Sequence, residues 1–146
     1  MFSWTAFLTL SSKKRLHPEA VLSISHAIYL VSDTRQAVDF LSHLFGMRVL
    51  ADETAITGER FLSMGTDDAQ AVRLQIVEVD FVEALVAHKK PHGIVDFIFE
   101  TADMAALMAK VEQAGLTVQR PPIQAEYGLT AIVVDPFGNL WDLVQR

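Results

Sequence analysis

The 146-residue chain contains no cysteine. That absence excludes disulfide bonds, thiolate catalysis and cysteine-ligated zinc. Positive charge is scarce: 12 Lys and Arg stand against 18 Asp and Glu, for a net charge of −6. The basic footprint that nucleic acid demands is missing, so no nucleic-acid partner is expected. No apolar run reaches the roughly twenty residues that a bilayer span needs. The apolar N-terminal stretch, from Met1 to Leu10, is followed by Lys13, Lys14 and Arg15, whereas a signal peptide places its charges first. The reading is a cytoplasmic protein with no membrane partner, in which residues 1–22 form an extension that packs on the domain or on a partner subunit. There is no Gly/Ser linker and no low-complexity tract. Neither a phosphate-binding or dinucleotide glycine pattern nor a nucleophile elbow occurs.

What is present is a repeat. Hydrophobic residues make up 51% of the chain and charged residues 21%, which suits one packed domain rather than disorder. Ser25 to Val31 reads as a β-strand. Asp33 follows as a helix N-cap with Gln36 in capping-box position, and Val38, Leu41, Leu44 and Phe45 recur at helical spacing before Gly46. Three strands follow, at Met47 to Ala51, Arg60 to Met64 and Ala71 to Val79. The second half repeats this order. Val95 to Thr101 is a strand, Asp103 the N-cap, Leu107, Val111 and Ala114 the helical stripe, and Gly115 the stop. Strands at Leu116 to Gln119, Leu129 to Val134 and Leu140 to Val144 close it. The step from His26 to Asp96 equals that from Asp33 to Asp103, and Gly46 to Gly115 is one residue shorter. Constant spacing of strand, cap and stop indicates internal duplication. The modules cover about 23–79 and 93–146. The connector 80–92 holds a short helical stretch, Phe81 to Val86, closed by Pro91 and Gly93.

The chain ends in Asp135-Pro136-Phe137-Gly138-Asn139-Leu140-Trp141-Asp142-Leu143, a tight turn running into an apolar strand that carries one carboxylate. With the paired βαβββ order, this motif resembles the vicinal oxygen chelate superfamily, which includes glyoxalase I, extradiol dioxygenases and the bleomycin- and fosfomycin-resistance proteins. The resemblance covers residues 23 to 146. It implies an α+β domain whose two βαβββ modules form one cup-shaped sheet, a homodimer, and a small organic ligand in the cup. For metal-dependent members it implies ligands on the first and last strands of each module. Those positions are His26, Gln75, Asp96 and Asp142 here, where the family's usual set is His or Gln, Glu, His and Glu. The resemblance thus implies either a divalent-metal lyase or dioxygenase using Mn, Fe, Mg, Ni or Zn, or a metal-free drug- or metabolite-binding protein.

Strand alternation places His26, Ile28 and Leu30 on one face, and Ala27, Tyr29 and Val31 on the other. The aromatic face is the one expected to pack on the helices. Two carboxylates brought together on the cup face need a counter-charge. A divalent cation, a protonated His26 between the aspartates, or a proton shared by the two carboxylates would each supply it. Arg120 and Tyr127, near the penultimate strand, are further ligand-binding candidates. His88 and His92 read as solvated connector residues, and His43 as a surface residue of the first helix.

Overall fold

The computed structural model describes residues 22–146. The expectations for the N-terminal extension lie outside the described residues. Among the described residues, eight strands and three α-helices follow the repeated order with its connector: β1 (His26–Val31), α1 (Thr34–Phe45), β2 (Arg48–Thr54), β3 (Arg60–Gly65), β4 (Arg73–Glu78), α2 (Val82–Lys89), β5 (Val95–Glu100), α3 (Met104–Gln113), β6 (Val118–Ala125), β7 (Gly128–Val134) and β8 (Leu140–Gln145). The strands make two four-stranded sheets, ordered β1-β4-β3-β2 and β5-β8-β7-β6. In each, the first strand of the module runs parallel to the last.

Local chemistry explains the helix boundaries. The Asp33 and Asp103 side chains accept hydrogen bonds from the Gln36 and Ala106 backbone N–H groups, satisfying donors that the first helical turn leaves free. Gly46 ends α1 in the left-handed region at φ 65°. The connector helix is longer than its apolar stretch suggested. It runs through His88 to Lys89 and passes into a 3₁₀ turn, Lys90–His92, where Pro91 closes it.

The faces sort as alternation requires. Tyr29, Val31, Leu62, Met64, Leu74 and Ile76 of the first sheet share one core with Ala131, Val133, Trp141 and Leu143 of the second, together with Leu41 and Leu44 of α1 and Leu107 and Val111 of α3. The modules therefore pack through their helix-covered faces, and the other face of each sheet is turned away from this core. Strand β6 differs from the sequence reading. It continues through Pro121 and Pro122, two residues that lack the N–H a strand interior needs. The edge position of β6 and two register shifts, before and after Arg120, accommodate them.

Candidate functional site

Strand pairing fixes which residues of the two modules are equivalent. In the first sheet Ile28, Gln75, Ser63 and Ala51 form one row across the four strands. In the second, the matching row is Ile98, Asp142, Ile132 and Arg120. Gln75 and Asp142 therefore occupy corresponding places on the faces turned away from the core. The first row is uncharged, whereas the second carries one anion and one cation.

The four residues singled out on the sequence have different surroundings. His26 meets Ser25 Oγ through Nδ1 at 2.9 Å and sets its ring edge against Phe61. Gln75 is half-buried in its row. Asp142 accepts a 2.5 Å hydrogen bond from the Thr130 hydroxyl, which in turn accepts from Arg120 Nη2 at 3.1 Å. Asp96 belongs to a different cluster. Lys89 Nζ lies 2.8 Å from both of its oxygens and 2.8 Å from Asn139 Oδ1. Among the described residues, no three His, Asp or Glu side chains gather where they could hold a metal ion. A divalent cation at Asp96 would have to displace an ammonium already seated there, so within one chain the set does not fit a shared metal centre. Tyr127 is exposed in the two-residue turn between β6 and β7, away from these groups. His88 is an exposed residue of the connector helix, and His92 sits in the exposed turn after it.

Lys89 belongs to no motif in the sequence. Its only sequence signal was a cation at the end of the connector. It projects between two clefts of about 320 Å³ and about 270 Å³ that share Lys89, Asp96 and Asn139. Ile28, Leu30, Tyr29, Val82 and Phe97 line the larger, and Val86, Ile94, Gln119 and Val134 the smaller. Gly138 sits against the connector helix because a Cβ there would meet Val86 at 2.9 Å. The turn read as a fold marker is thus also the surface on which the connector docks.

Asp135 carries the rest of the polar network. Its Oδ1 accepts from the backbone N–H groups of Phe137 and Asn139, both at 2.9 Å. Its Oδ2 accepts from the Tyr29 hydroxyl at 2.5 Å, and from Asn139 Nδ2 and Trp141 Nε1, both at 3.1 Å. Burial, and then the neighbouring Asp135 carboxylate, hold the Tyr29 phenol protonated far above its ordinary range. Because the folded-state value is raised, the stability this phenol confers is complete below the unfolded value of about 10 and is lost as pH rises beyond it. Between pH 9 and pH 11, the denaturant midpoint of the wild-type protein is expected to fall more than that of Tyr29→Phe. Equal falls would remove Tyr29 from the alkaline transition.

Two four-stranded sheets are joined through a connector helix, and a carboxylate turn leads into the last strand. The model of the glyoxalase/bleomycin resistance protein/dioxygenase superfamily matches residues 23–143. The chain belongs to this superfamily. Among relatives of the superfamily, it is 28% identical to the lactoylglutathione lyase GLX1 of Arabidopsis thaliana over 127 residues, which cover 83% of this chain and 43% of that protein. It thus spans less than half the length of that relative. It is 26% identical to TnmS3, an antibiotic binding protein from Streptomyces sp. CB03234, with a TM-score of 0.67 and coverage of 86% of this chain and 97% of that one. UcmS2 superposes with a TM-score of 0.71 at 23% identity, covering 86% and 98% of the two chains, and so shares the fold. No helix among the described residues is long and apolar enough to cross a membrane.

Proposed function

We propose that this superfamily member binds a small organic molecule without a metal and acts by holding it. The observation that carries this reading is the Lys89–Asp96 pair. The carboxylate on the first strand of the second module already has its counter-charge in a lysine ammonium 2.8 Å away. A ligand site in such a protein is a mostly apolar surface with a few fixed polar groups. The outward faces fit that description, with Ile28 52% and Ile98 67% exposed beside Gln75, Asp142 and Arg120. The likeness to an antibiotic binding protein supports the same reading. A second copy of the chain covering part of these apolar faces belongs to it as well.

The alternative is a divalent-metal lyase or dioxygenase. It draws on the likeness to lactoylglutathione lyase and on His26, whose half-buried ring stands on the same strand face as Gln75's neighbour Ile28. Elemental analysis and thermal shifts separate the two readings. Dialysis against Mn²⁺, Fe²⁺, Ni²⁺ or Zn²⁺ is expected to leave less than stoichiometric metal and an unchanged unfolding temperature. Bleomycin titrated in the presence of EDTA is expected to raise that temperature saturably, and light scattering on the same samples to give the mass of a dimer. Stoichiometric metal that is lost in His26→Ala or Asp142→Asn would overturn the proposal in favour of the enzyme.

A further inference from the structure

The charged row of the second sheet has a feature that the folded chain does not use. Arg120 and Asp142 lie on one face with Ile132 between them, yet no carboxylate among the described residues is ion-paired with Arg120. The two charges are linked through Thr130, a hydroxyl only 1% exposed. Its single hydrogen is committed to Asp142 and one of its lone pairs to Arg120. The Arg120 Nε–H is sealed from solvent with no acceptor among the described residues. An unmet buried donor of this kind is costly. The two register shifts of β6 fall on either side of Arg120, and such bulges commonly re-aim a side chain.

We infer that Arg120, Thr130 and Asp142 form a neutral donor–acceptor anchor for an amide edge, a primary carboxamide or a lactam, on an otherwise apolar ligand. The inference rests on the metal-independent binding reading above and names the ligand chemistry of that site. Beside the enclosed Nε–H, Arg120 retains Nη N–H donors and has no acceptor, while Asp142 Oδ2 remains as an acceptor. A matching group therefore offers a carbonyl oxygen to the guanidinium and an N–H to the carboxylate. The pair has no net charge. A ligand carboxylate would gain from Arg120 but face Asp142, and an amidinium would meet the reverse. An amide edge satisfies both groups at no charge cost. Exposed Ile98 and half-buried Ile132 give the apolar part of the ligand a surface in the same row.

Four probes of one shape test this: benzamide, benzoate, benzamidine and N,N-dimethylbenzamide, titrated into the full chain in EDTA and followed by the Arg120 Nε–H resonance and by Kd. Wild-type protein is expected to bind benzamide about tenfold more tightly than the other three, the usual worth of one hydrogen bond. Asp142→Asn should invert the order in favour of benzoate, and Arg120→Gln in favour of benzamidine. If those charge changes disturb folding, Thr130→Val, which keeps the side-chain volume but lacks the hydroxyl that links the pair, should lose the preference for benzamide. Benzoate binding as well as benzamide, an order unmoved in both charge variants, or no saturable binding of any probe would overturn the anchor and leave metal-independent binding standing. Benzamide binding that EDTA abolishes would instead overturn the metal-independent reading itself.

Discussion

Asp135→Ala is expected to destabilise the protein by about 4–5 kcal/mol, the upper range for removing one partner of a buried polar network. The carboxylate accepts five hydrogen bonds, from Tyr29, Phe137, Asn139 (two) and Trp141. Tyr29, Asn139 and Trp141 are themselves buried. Alanine would leave their donors in an apolar space with at most a water to replace the acceptor. Most domains have only about 5–15 kcal/mol of net stability, so this loss would bring the chain near unfolding. Asp135→Asn separates acceptor chemistry from shape. Asn keeps the volume, but its NH₂ group would confront donors, so a loss of about 2–3 kcal/mol is expected. Urea titration followed by circular dichroism measures both. An unchanged midpoint for Asp135→Asn would show that the turn depends on shape alone.

Trp141→Ala carries the second large effect, about 4–5 kcal/mol for a fully buried indole. Its ring centroid lies 4.6 Å from that of Phe97 in its own module. It lies 4.9, 5.5 and 5.6 Å from those of Phe45, Tyr29 and Phe40 in the other module. The indole is therefore one of the points where the duplicated halves meet, beside the stacked Phe45–Phe99 pair, and its N–H completes the Asp135 network. Trp141→Phe keeps one ring and part of the aromatic packing and is expected to lose less than half as much. Denaturant unfolding of the two variants distinguishes these outcomes. A loss below about 2 kcal/mol for Trp141→Ala would mean that the modules hold together through other contacts.

Much of this architecture is legible in the sequence because its signals are local. Asp33 and Asp103 cap helices through their own backbones, and Tyr29, Val31, Phe97 and Phe99 alternate as one strand face must. The row equivalence of Gln75 with Asp142 also follows from laying one module on the other. The partners of the polar groups were not legible. Asp135 reads as a turn former, and that role is real. Its contact with Tyr29, however, spans 106 residues. Asp96 reads as a cup carboxylate, but its nearest cation comes from a connector whose apolar stretch gave no sign that the helix would continue to Lys89.

By itself the sequence determined a duplicated βαβββ domain, its helix caps and the membership of its core faces. These depend on periodicity and on backbone chemistry within a few residues. Only the tertiary structure decided which charge neutralises which. It set Lys89 against Asp96, joined Arg120 to Asp142 through Thr130, and placed Asp135 under Tyr29 and Trp141. The reason is that electrostatic and hydrogen-bond partners are chosen by distance in space, to a few tenths of an ångström, and periodicity along a chain carries no such distance.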